Sequence, residues 1–140
     1  MKFLHLNFLP RSADLALLLL RVWLGGLMLW LHGWGKLTGF SARAEKFADP
    51  FGLGGPASLG LVIFSEVFCA ALLVFGAFTR AAALVLAITM SVAFWFAHDA
   101  RLTGQGNGEL PFVFLAGFLA LFLAGGGRIS VDAKIGAKAG

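Results

Sequence analysis

The chain has 140 residues, of which 59% are hydrophobic and 13% charged, with a net charge of +4 and a mean hydropathy of +0.88. About a quarter of the residues of a soluble domain are charged, so this composition excludes an ordinary water-soluble globule and fits one membrane domain. The basic residues are scattered beside apolar runs, which suits topology-setting Lys and Arg rather than a nucleic-acid surface.

Lys2 and Arg11 ahead of Leu15–Leu20 mimic a signal peptide. Arg21 interrupts that run, no small-x-small cleavage site follows promptly, and the hydrophobicity continues well past signal length, so the segment reads as a retained span. This first span, residues 15–37, carries three ionisable side chains: Arg21, His32 and Lys36. With Gly25 and Met28 they share one face of a regular helix. Charge at bilayer depth costs about 2.5–3.5 kcal/mol per residue on insertion scales, and it persists where it faces a bundle interior, a partner charge or a wet cavity. A polar interior is therefore expected.

In the connection that follows, Ser41 is placed to cap a short interfacial helix. Its Phe40, Ala44, Phe47 and Ala48 share one face, with Arg43, Glu45 and Lys46 opposite. Residues 49–56 then read as an irregular re-entry. Its Gly-x-Gly-Gly is not a phosphate loop, because no strand precedes it and no Lys-Ser/Thr follows. The second span is predicted over 57–78 and the third over 81–97, joined by almost no loop at Thr79-Arg80. The fourth covers 110–124. Pro56 and Pro111 suit the first turns of the second and fourth helices, where a missing N–H costs nothing. Gly125-Gly126-Gly127 closes the last span, and residues 128–140 read as a polar tail, surface-lying or mobile. The expected fold is all-α: an integral membrane four-helix antiparallel bundle forming a single domain over residues 1–140. Lys2, Arg11, Arg80, Arg128, Lys134 and Lys138 on one side outnumber Lys36, Arg43, Lys46 and Arg101 on the other, which favours cytoplasmic termini.

Depth along the helices gathers the polar residues. At about 1.5 Å per residue, Arg21 lies roughly 9 Å from the terminal face, Glu66 roughly 18 Å, His32 roughly 25 Å and His98 roughly 27 Å. One end therefore collects His32, Lys36, His98, Asp99 and Glu109, with Trp30, Trp34 and Trp95 around them. Arg21 and Glu66 continue the polar line inward as a structural ion pair. Each residue also has a plainer reading. The pair can serve only to fix register, His98 and Asp99 to end a helix, Lys36 to anchor one, and the tryptophans to form an interfacial belt.

Two histidines and three carboxylates are metal-ligand types, but none shows tight ligand spacing on one helix, so neither metal nor haem is implied. Cys69, the only cysteine, excludes an intrachain disulfide. No Ser or Cys sits in a nucleophile motif. A hydrophobic ligand with a polar head, such as a quinone, fits better. His32 and Glu66 would exchange its protons, since histidine titrates near neutral pH and burial raises a carboxylate toward it.

Several segments together resemble the DoxX family of small bacterial four-span membrane proteins: Leu20-Arg21, His32-Gly33-x-Gly35-Lys36, Glu66, Gly76-x-Phe78-Thr79-Arg80, His98, and Gly127-Arg128-x-Ser130-x-Asp132. The resemblance runs from about Leu15 to Asp132. It implies a four-helix bundle in a bacterial inner membrane and association with a quinone-linked oxidoreductase. Glu109 stands where the family places an acidic residue before the fourth span, but the Gly-rich loop 103–108 departs from the pattern. The expected function is a small subunit or accessory protein of a quinone-linked redox system, with a partner protein or further copies of itself in the bilayer. A purely structural subunit and a small-molecule or proton transporter are the alternatives.

Overall fold

The computed structural model describes residues 12–139, which are helical with no strand among them. Three helices are long and apolar enough to cross a membrane: α1 (Ala13–Thr38), α3 (Gly55–Phe75) and α4 (Thr79–Ala97). Between the first two lies a single turn, α2 (Phe40–Arg43). The shorter apolar α5 (Glu109–Ala124) and the terminal α6 (Val131–Ala139) complete the chain. Lys2 and Arg11, which enter the charge count above, lie outside the described residues.

Local chemistry sets the boundaries. Ser12 starts α1 by accepting the Leu15 N–H at 3.2 Å, and Pro56 sits in the first turn of α3. The second span ends at Phe75 rather than at the expected Phe78. Gly76 (φ 69°) takes the left-handed conformation, the Gly76 N–H donates to Leu73 O (3.1 Å), and the Ala77 N–H reaches back to Leu72 O (2.9 Å). This paired closure ties off helix ends that would otherwise leave bare carbonyls. The expected Ser41-capped helix shrinks to α2 and a 3₁₀ turn at Ala44–Lys46; α2 begins at Phe40 and has no side-chain cap. The C-terminal segment is also more ordered than its composition suggests. Ser130 Oγ accepts the Ala133 N–H (3.2 Å) and so starts α6.

The core lies where α1, α3, α4 and α5 meet. Met28, Leu73, Leu86, Phe118 and Leu121 are buried there among small Ala70, Ala82, Ala83 and Ala87. The small residues let backbones approach closely, which is how helices gain contact where lipid removes the hydrophobic drive. The α4 and α5 helices form the most extensive pairing, while α1 packs on both α3 and α5.

A polar knot closes the terminal end. Arg21 is buried and donates through one guanidinium nitrogen to Val74 O (2.6 Å) and through the other to Ile129 O. Asp132 accepts the Phe78 and Thr79 N–H groups at 2.6 and 2.8 Å, capping α4, and its own N–H donates to Gly76 O (2.9 Å). Burial pushes the Asp132 carboxyl up, but the bonds from Thr79 and Phe78, with Arg21 nearby, outweigh it and hold it below the usual carboxylate range. The Gly76-x-Phe78-Thr79 and Ser130-x-Asp132 motifs are thus two halves of one contact. The expected Arg21–Glu66 ion pair is corrected here, because Arg21 bonds to the Val74 carbonyl near the end of α3 and to the Ile129 carbonyl instead.

Candidate functional site

Each long helix contains π-helical turns: Met28–Gly33 in α1 and Ala93–Ala97 in α4 lie toward the end away from the knot, and Phe64–Cys69 lies at the middle of α3. A π turn widens the ring of backbone hydrogen bonds and re-aims side chains, and such turns recur at functional sites. His32 and Glu66 lie inside these segments, and His98 directly follows the one in α4. The single face expected for Arg21 through Lys36 is therefore broken at Met28, with Arg21 turned toward Ile129 and Lys36 toward Glu66.

Gly33 sets the approach of α1 to α3. A Cβ there would lie 2.5 Å from the Glu66 carbonyl oxygen and 2.8 Å from its carbon, so no larger residue fits without moving a backbone. Glu66 is consequently level with His32–Lys36 rather than between them and Arg21. The second span sits roughly 8 Å farther from the terminal face than equal helix ends would put it. Its end at Phe75, level with Arg21, supplies roughly half of that offset.

The result is a Lys36 Nζ–Glu66 Oε2 ion pair at 2.5 Å, with the carboxylate side chain 6% and the lysine side chain 22% exposed. Lys36 also reaches His32 O at 3.5 Å. The His32 ring meets Phe114 edge-on, with centroids 5.8 Å apart. His98 Nδ1 lies 2.8 Å from Gly106 O; a carbonyl only accepts, so this nitrogen donates.

Two cavities meet at the pair. An inner chamber of about 140 Å³ is bounded by His32, Lys36, Glu66 and His98 with Met28, Met90 and Phe114. A larger groove of about 680 Å³ shares Lys36, Glu66, Ala93 and His98 with it and runs out between apolar walls that include Phe47, Phe51, Ile88 and Phe96. The loop wall is held by Asp49, whose carboxylate accepts from Leu53 N (2.9 Å), Gly54 N (2.7 Å) and Ser58 Oγ (2.8 Å). The Ser58 hydroxyl, then the Gly54 N–H, pull the Asp49 carboxyl below its usual range.

Of the residues singled out from the sequence, His32, Lys36, Glu66 and His98 come together. The others do not. Trp30 (70% exposed), Trp34 and Trp95 (64%) turn outward and line neither cavity, with Trp30 stacked on Trp34. Outward indoles on apolar helices fit a membrane-facing belt. Asp99 pairs with Arg101 at 3.0 Å on the open surface, and Glu109 is exposed at the start of α5. Helical depth matched these residues, but the side chains point away. Asp49, Met28, Met90 and Phe114 were not singled out for the site. Asp49 had a local signal in the glycines and Ser58 that follow it, whereas the methionines and Phe114 look like any core residue. Among the described residues no group of three or more His, Cys, Asp or Glu is placed to hold a metal.

A family model described as DoxX matches residues 16–99. A protein of Haemophilus influenzae described as uncharacterized is 34% identical over 109 residues, covering 75% of this chain and 72% of the relative. A second uncharacterized protein of that organism is 31% identical over 115 residues, covering 76% of the chain and 81% of the relative. No solved structure matches.

Proposed function

The chain belongs to the DoxX family, and on that premise we propose that it is a small integral subunit or accessory protein of a quinone-linked redox system, holding a quinone-like ligand in the groove. In this reading the four apolar helices form an antiparallel bundle in a bacterial inner membrane, with both termini cytoplasmic. The contact of Arg128 N with Asp14 (2.8 Å) and the Asp132 clasp on α4 support a shared terminal end.

The observation that carries the proposal is the Lys36–Glu66 pair, set with His98 and Asp49 in a groove whose walls are mostly apolar. Ligand sites of several hundred Å³ combine apolar walls with a few placed polar groups, and this groove has that form. A quinone offers carbonyl oxygens that accept hydrogen bonds and a hydrocarbon tail that belongs in lipid. Lys36 is the donor for a carbonyl, His98 stands at the same floor, and Phe47, Phe51 and Phe96 supply aromatic contact. A bound quinone supplies redox chemistry; this chain binds and orients it, while electron transfer is assigned to a partner protein in the membrane.

Titration of the purified protein with a short-chain quinone, read by tryptophan fluorescence quenching, tests the proposal. Saturable quenching lost in Lys36→Met is expected. Quenching that rises linearly, or is unchanged in a folded Lys36→Met protein, removes the groove as a quinone site.

A further inference from the structure

We infer that the inner chamber is a water-filled antechamber through which Glu66 exchanges protons with the aqueous phase at the loop end, beside the ligand groove with which it shares the ion pair. The inference concerns the chamber alone and rests on the quinone reading only for what finally receives the proton.

The chamber is polar where it must be. His32 and Lys36 from α1, Glu66 from α3 and His98 at the end of α4 all line about 140 Å³ of space. A space qualifies for water when it is roomy and offers a water two to four polar partners, and this one meets both conditions. His98 stands in the chamber wall, its ring oriented by the Nδ1 bond to Gly106 O. His98 is bonded to Gly106, next to the exposed segment Arg101–Gln105, so it stands at the solvent-facing end of the chamber. Leu110, also in the lining, is 52% exposed.

The deeper wall is sealed. Met28, Met90 and Phe114 are buried, and Leu86, one turn below Met90, lies wholly within the core. Water entering from the loop end therefore stops at the level of Glu66. The charged and titratable groups facing Glu66 are Lys36 and His32 from α1 and His98 from α4, and Asp49 lines the groove side. The α5 contribution is Leu110, Pro111 and Phe114, which do not titrate. Lys36 Nζ occupies Glu66 Oε2 while the pair is intact. A groove ligand that draws the ammonium onto its own acceptor oxygen frees the carboxylate to take a proton from the chamber, and Glu66 is the one carboxylate that both cavities share.

The test uses the full chain in detergent or lipid nanodiscs with Cys69 replaced by Ala. Met90→Cys, in the chamber wall, and Leu86→Cys, in the dry core, are treated with silver ion, and the surviving thiol is labelled after denaturation. Thiolate is the reactive form and needs a wet, polar surrounding, so Met90→Cys is expected to be consumed at least about tenfold faster. Equal, slow consumption in a folded protein overturns the inference. If Met90→Cys does not fold, infrared titration of the wild-type chain decides. A carboxylate band absent in Glu66→Gln should convert reversibly to the acid form as bulk pH falls. A band that ignores pH until unfolding overturns the inference equally. A protein that binds quinone while both readouts fail keeps the ligand reading and loses this one.

Discussion

Replacing Lys36 with Met strands a carboxylate that is 6% exposed, while replacing Glu66 with Gln strands an ammonium that is 22% exposed. At 2.5 Å and an effective dielectric of about 20, the Coulomb attraction is about 7 kcal/mol before desolvation, which offsets most of it. Removing one partner of a buried pair costs about 3–5 kcal/mol, so Lys36→Met should cost about 3 kcal/mol. Glu66→Gln should cost about 2 kcal/mol, because the lysine can extend its ammonium toward solvent. The double variant leaves no stranded charge and should cost about 2 kcal/mol in all, a coupling of about 3 kcal/mol. Unfolding in mixed micelles with rising dodecyl sulfate, followed by circular dichroism, measures all four proteins. Costs that add within about 0.5 kcal/mol would refute the pairing. Arg21→Met combined with Glu66→Gln serves as the contrast. Those two costs should add, since Arg21 bonds to Val74 and Ile129 carbonyls instead.

Gly33→Ala should cost about 1–3 kcal/mol by forcing α1 from the Glu66 backbone, and in that background the Lys36–Glu66 coupling, measured the same way, should fall below about 1 kcal/mol. Asp132→Asn should cost about 1 kcal/mol at neutral pH by weakening the α4 cap. The carboxyl of Asp132 lies lower folded than unfolded, so its contribution is present above about pH 4 and fades as pH falls toward the folded value; melting against pH should show a shallower acid limb in the variant. Leu at Trp30 and Trp34 together should leave quinone affinity within about twofold of wild type by equilibrium titration, because belt residues outside the cavities supply no hot-spot contact.

The positions of the long helices were legible because lipid-facing segments need length and hydropathy, and both are one-dimensional properties. Gathering His32, Lys36 and His98 at one end was legible for the same reason, since rise per residue fixes depth. Partner choice was not. Whether Glu66 meets Arg21 or Lys36 depends on how far α3 slides along α1, and that is decided by the Gly76 closure and the Gly33 contact. The outward turn of Trp95 depends on the π-helical turns, which change the angular count without a composition signal. The clasp between Thr79 and Asp132 joins residues 53 apart, so each half read as a separate motif. Asp49 was the more readable omission, because an Asp before a glycine-rich turn commonly ties its own backbone.

Native mass spectrometry of the chain, extracted in mild detergent from the membrane in which it is made, tests the central claim most directly. A bound quinone is expected on the wild-type protein and is expected to be missing from a folded Lys36→Met protein. A wild-type protein carrying no quinone, or a Lys36→Met protein carrying as much as wild type, would contradict the claim that the Lys36–Glu66 floor holds such a ligand.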